Sequence, residues 1–145
     1  METQTRSTRS NLGYLLAKAT QRWNELLYEG FVEAGFAEVR PSYGSVLIPL
    51  FEEDGLRMGE LAQRSRLSKQ TMTTMVRLVE RDGLVERRAD PDDGRATRVY
   101  LTGRARRFRP VAERVLRDLD ARVEVALGRA DVPRLRRSLE GVMNL

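Results

Sequence analysis

Gln70, Thr73, Thr74 and Arg77 follow one another at short helical intervals, so a helix through them presents all four on one face. Their chemistry matches nucleobase edges. A carboxamide can pair with N6 and N7 of adenine, and a guanidinium with O6 and N7 of guanine. The threonine hydroxyls can bond base edges or phosphates, and their methyls can pack on thymine. Ser68 and Lys69 sit where such a helix would begin, and free N–H groups and the helix dipole favour a phosphate there. Further along, Arg95 follows Asp92, Asp93 and Gly94. A glycine-borne turn would push this arginine to the outermost point of a loop, suited to the strong negative potential of a narrow minor groove. Asp93 stands close enough in sequence to hold its guanidinium. Taken singly, each is an ordinary surface residue; the ordered set is what points to a polyanion.

The elements around these residues follow from apolar spacing. Leu12, Leu15, Leu16, Ala19, Trp23, Leu26, Leu27 and Phe31 form the stripe of a long helix from Asn11 to about Gly35. A second helix is expected from Ser42 to Glu53, with Pro41 at its start and Pro49 placed to kink or break it. Met58 to Arg64 reads as a short third helix. Ser68 caps a fourth, in which Met72, Met75, Val76 and Val79 form the buried face, opposite Gln70, Thr73, Thr74, Arg77 and Arg81. After Gly83 the period shortens to 2. Leu84 to Arg88, the turn-rich ADPDDGRA and the returning Thr97, Val99 and Leu101 make a β-hairpin. Thr102 caps a long helix to about Leu127, and Asp131 with Pro133 opens a last one carrying Leu135, Leu139, Val142 and Met143. The fold class is therefore mainly α with a small β-hairpin wing: a winged helix-turn-helix flanked by long helices.

Composition narrows the function. The 145 residues contain no Cys and no His. That removes disulfides, thiolate metal sites, cysteine redox sensing, and the commonest general base and metal ligand. There is also no Gly-rich phosphate loop and no close carboxylate pair in a credible site, so no enzyme, cofactor or metal is expected. The net charge is +5, yet Arg57 to Arg109 holds 14 Lys/Arg against 7 Asp/Glu, and the remainder holds 12 against 14. A basic lobe on a mildly acidic remainder suggests two separate tasks. The METQTRSTRSN start has no apolar run and no long apolar segment follows, so a cytoplasmic protein is expected.

From Leu56 to Arg106 the chain reads LRMGELAQRSRLSKQTMTTMVRLVERDGLVERRADPDDGRATRVYLTGRAR. With its GELA, its Ser68, Thr71 and Thr73 helix start, GLVERR, DPDDGR and LTGRAR, this stretch resembles the DNA-binding lobe of the multiple-antibiotic-resistance regulator (MarR) family. The resemblance implies one unit over residues 1–145, a reading lobe over 42–102 and dimerisation helices over 10–36 and 103–145. It implies a homodimer on a pseudo-palindromic double-stranded DNA operator, usually as a repressor released by a small-molecule effector. Ser68, Lys69, Gln70, Thr73, Thr74 and Arg77 would then contact groove or phosphate, with Arg95 in the minor groove. Trp23, Tyr43 and Phe51 are candidates to line an effector cavity between the first, second and fifth helices, although aromatics at helical spacing are more often core. Two departures stand out: Pro49 beside that region, and Arg66 in the interhelical turn where relatives often carry glycine. The rival reading is a winged-helix module that binds a protein and has no specific operator.

Overall fold

The structure, a computed structural model, describes residues 8–145. Helix α1 spans Leu12–Glu33, and a single 3₁₀ turn, Pro41–Tyr43, leads into α2, Gly44–Glu52. The two-residue strand β1, Leu56–Arg57, precedes α3, Met58–Arg64, and α4, Lys69–Arg81. Strands β2, Val85–Ala89, and β3, Thr97–Leu101, form the wing. Helices α5, Gly103–Leu127, and α6, Asp131–Met143, complete the chain. The sheet order is β1-β3-β2, antiparallel throughout, with Leu56 opposite Val99 and Val85 opposite Leu101. The chain is thus mostly helical with a small three-stranded sheet. The expected hairpin is present; β1 is an addition to it, since two residues are too few to show an alternation.

The core forms where apolar faces of α1, α2, α3, α4, the sheet and α5 as far as Leu119 converge. Met72, Val76 and Val79 of α4 are fully buried, while Met75 is only half-buried. Phe31 packs edge-on against Phe108 with centroids 4.8 Å apart, which joins α1 to α5. The outer ends are different. Leu12, Leu15 and Leu16 of α1 and Leu135, Leu139, Val142 and Met143 of α6 lie exposed in the protomer.

Three helices end in the same Schellman pattern. At the end of α1 the Phe36 N–H reaches Phe31 C=O and the Gly35 N–H reaches Val32 C=O. At the end of α4, Leu84 bonds Val79 and Gly83 bonds Glu80 in the same way. Both glycines have the positive φ this ending requires, 89° and 80°. At the end of α3 the bonds run from Leu67 to Ala62 and from Arg66 to Gln63, but the left-handed position holds an arginine at φ 53°. Arg66 is the one non-glycine residue at positive φ among the described residues. Such a residue costs roughly 1–2 kcal/mol.

Helix α2 runs on through Pro49 to Glu52, so the expected break does not occur. Pro49 has no N–H to give the carbonyl of Ser45 four residues back. The Ser65 hydroxyl donates to that carbonyl instead, at 2.5 Å. Loss of one bond within α2 therefore becomes a bond between α2 and the end of α3. In thermal or denaturant unfolding, Ser65→Ala should destabilise the protein by about 1 kcal/mol. Its cost should shrink in a Pro49→Ala background, where an amide N–H returns to Ser45. An equal cost in both backgrounds would refute the compensation.

Candidate nucleic-acid interface

Helix α4 is seated by one face and bare on the other. Its start is built by Ser68, whose Oγ accepts the Thr71 N–H at 3.1 Å and donates to Thr71 Oγ1 at 2.7 Å. Lys69, Gln70, Thr74 and Arg77 are exposed and Thr73 is half-buried. The Thr73 hydroxyl donates to Lys69 C=O at 2.9 Å, and that of Thr74 to Gln70 C=O at 3.2 Å. With those protons committed, both oxygens keep only acceptor capacity, suited to the amino groups of adenine or cytosine.

Arg77 is bare because its neighbour is occupied. Glu80 lies one turn further on and would be its natural partner. Glu80 instead accepts the Arg87 backbone N–H at 3.1 Å and pairs with the Arg87 guanidinium at 3.0 Å. That guanidinium, opposed by partial burial, holds the Glu80 carboxyl below the usual carboxylate range. The same holds across the lobe. Arg57, Arg64, Arg81, Arg87, Arg88, Arg98, Arg104, Arg106 and Arg109 each pair with a carboxylate. Lys69, Arg77 and Arg95, chosen from sequence as groove or phosphate contacts, form no ion pair among the described residues. Arg66 and Arg107 share that property, although neither is a DNA contact by the sequence reading; pairing is a tertiary fact with no local signature.

The wing is held at its base. Asp90 is the buried charged residue of the lobe, 2% exposed. Its Oδ1 accepts the Asp92 N–H at 2.9 Å, and its Oδ2 pairs with Arg57 Nε at 2.6 Å and Arg98 Nε at 3.0 Å. The Asp92 N–H, then the two arginines, hold its carboxyl below the usual range against the cost of burial. At the tip, Asp93 does not hold the Arg95 guanidinium as expected. Its Oδ1 accepts the Arg95 backbone N–H at 3.1 Å, which shapes the turn and leaves the side chain free.

The aromatic trio is dispersed in role. Tyr43 is 3% exposed, and its hydroxyl donates to Asp82 Oδ2 at 2.5 Å, binding the start of α2 to the end of α4. Burial, then this carboxylate, pushes the Tyr43 phenol up. Trp23 and Phe51 are half-buried against the core. A cavity of about 370 Å³ opens elsewhere, between α1 and α5, lined by Leu26, Gly30, Val115 and Leu119 with Arg114, Arg122 and acidic residues of both helices. None of the three aromatics lines it.

The Asp90 anchor makes stability depend on pH. A depressed carboxyl contributes fully above the unfolded-chain value near 4 and loses its contribution as pH falls through the lower folded value. Asp90→Asn should therefore unfold at a lower temperature than the parent at pH 7, with the gap closing as pH falls below about 4. A gap that stays constant across that range would mean that charge does not hold the wing.

Comparison with known proteins agrees with this geometry. A sequence model of the MarR family matches residues 41–97. The HTH-type transcriptional repressor Rv2887 of Mycobacterium tuberculosis is 32% identical over 117 residues, covering 72% of this chain and 84% of the repressor. Its crystal structure, in complex with salicylic acid, matches with a TM-score of 0.64 at 30% identity, over 92% of this chain and 96% of that one. The transcriptional repressor CouR, bound to a 23-mer DNA duplex, shares the fold at 24% identity, with a TM-score of 0.79 over 94% of each chain. A probable transcriptional regulator from Pseudomonas aeruginosa, also 24% identical, superposes at a TM-score of 0.80 over 93% of this chain and 98% of the other. With its winged lobe, its bare α4 face and a repressor this similar over most of both lengths, the chain belongs to the MarR family.

Proposed function

We propose that this chain is a sequence-specific repressor that binds a pseudo-palindromic double-stranded DNA operator as a homodimer and is released by a small-molecule effector. The observation that carries the reading is the selective bareness of Lys69, Arg77 and Arg95 in a lobe whose other arginines are mostly paired. A helix about 10–12 Å across, with Gln70, Thr73, Thr74 and Arg77 outward, suits a major groove about 12 Å wide. Ser68 and Lys69 meet phosphate at its start, and Arg95 enters the minor groove beside it. Helices α1, α5 and α6 carry the exposed apolar residues that a second copy would cover, within the 10–36 and 103–145 segments. Symmetric pairing places two 42–102 lobes one helical turn of DNA apart, about 34 Å, or a multiple of it. The protein works by binding and not by catalysis, in the cytoplasm; no helix of the described residues is long and apolar enough to cross a membrane.

For the effector we favour the cavity between α1 and α5 over the aromatic trio, because Tyr43 has almost no free surface. Arg114 and Arg122 at that cavity suit an anionic group. Salicylate, the ligand of the Rv2887 structure, serves as the probe. It should release the protein from its operator in a mobility-shift titration, and Arg114→Ala or Arg122→Ala should raise the concentration required. An unchanged requirement removes this cavity from the mechanism.

Binding itself divides Arg77 from Arg95. In competition measurements on single-base operator variants, Arg77→Ala should cost about 1–3 kcal/mol per contact and relax preference at one base pair per half-site. Arg95→Ala should weaken most sequences alike. The parent, with about six to ten phosphate contacts per dimer, should lose roughly 10³–10⁵-fold in affinity between 50 and 200 mM salt. A flat salt dependence would favour the protein-binding module instead. Intact base preference in Arg77→Ala, with altered major-groove preference in Arg95→Ala, would reverse the placement of helix and wing.

A further inference from the structure

Arg66 occupies a position that chemistry assigns to glycine. The ends of α1 and α4 solve the same backbone problem with Gly35 and Gly83, whereas the end of α3 keeps an arginine at φ 53°. The side chain shows what the strained residue gains. Its Nη1 donates to the backbone carbonyl of Met143, the last residue of α6, at 3.3 Å. Carbonyls at a helix C-terminus have no partner within the helix and carry its partial negative charge, so a guanidinium is well matched to them. Among the described residues this is the one side-chain hydrogen bond or ion pair that joins α6 to the lobe; the other cross-element tie of α6, Arg136 to Asp120, goes to α5.

We propose that Arg66 is a positioning residue, a strut from the turn before the reading helix to the end of α6 that sets the separation of the two reading heads. The inference rests on the DNA-binding reading above. Helix α6 exposes Leu135, Leu139, Val142 and Met143, the face a second copy covers, so its position follows the dimer and not the lobe. Arg66 attaches the lobe to that frame within a few residues of Ser68 and Lys69. A head fixed at this point accepts one half-site spacing; a loosened head tolerates several.

The test uses Arg66→Gly, Arg66→Asn and Arg66→Lys in the full-length dimer, with the duplex that the wild type selects from random sequence. Amide hydrogen exchange without DNA is the first arm. Gly and Asn should speed exchange in the last turn of α6, while their melting temperatures equal or exceed the parent's by up to roughly 2–4 °C, since the strain is gone. Operators whose half-sites are moved apart or together by one base pair form the second arm. The parent should discriminate against them at least tenfold, Gly and Asn should reduce that discrimination several-fold with the salt slope unchanged, and Lys should restore most of it. Unaltered exchange in the last turn of α6 would overturn the tie. Uniform loss of affinity with a lower salt slope and unchanged spacing preference would make Arg66 a phosphate contact and overturn the strut. If the wild type binds no duplex, the DNA-binding reading falls and the spacing role with it, while the exchange arm still decides whether the tie exists.

Discussion

Met72, Val76 and Val79 anchor α4 in the core, each with 0% of its surface exposed. Full burial of such side chains contributes roughly 1.5–3 kcal/mol apiece, enough to seat the helix without help from its outer face. Everything proposed for the outer face requires this one-sided attachment. Had α4 been held by ion pairs, its cations would be spent on neighbours. It is held by apolar contact, and the carboxylate nearest Arg77 is drawn off by Arg87 of the wing. The wing thus does two things at once: it presents Arg95, and it clears the ground around Arg77.

The C-terminal end of the reading helix gathers hydrogen bonds from two neighbouring helices. Asp82 takes the Tyr43 hydroxyl from the start of α2, Gly83 C=O takes the Thr102 hydroxyl from the start of α5, and Leu84 C=O takes the Thr102 N–H. Arg104, the second residue of α5, pairs with Glu38 at 2.7 Å, donates to Gly35 C=O and lies 3.9 Å over Phe36. The C-terminal end of α4 is thereby fixed to the ends of α1, α2 and α5. Its N-terminal end rests on the Ser68 cap and the turn before it. These hydrogen bonds, with the Arg104 contacts, form one continuous polar path from the ends of α1 and α5 to the C-terminal end of α4.

Features set by neighbours in the chain could be read from the residues. The spacing of Met72, Val76 and Val79, the Ser68 and Thr102 caps, and the stops at Gly35 and Gly83 are all local, and each appears in the structure. The four outward residues of α4 share a face because of the same periodicity. What escaped was set by distance along the chain. Asp90 finds Arg57 across the sheet, Ser65 repairs a gap that Pro49 opens in another helix, and β1 exists only because β3 passes beside it. Tyr43 looked like a cavity residue because an aromatic at helical spacing carries no sign of what will cover it. Asp93 was the nearest carboxylate to Arg95, but its reach is to the backbone, where a turn leaves an N–H without a partner.

Internal neutralisation of the lobe also governs how the protein treats DNA that is not its target. Residence on random sequence grows with the number of condensed counterions displaced, and so with the number of cations still available. Nine of the fourteen basic residues from Arg57 to Arg109 already face carboxylates. A lobe of the same composition with all fourteen free would adhere along the whole chromosome and be titrated away by it. With most of that charge answered from within, fewer cations remain to displace counterions from random sequence, so the non-specific attraction of the lobe is weaker than its composition alone implies.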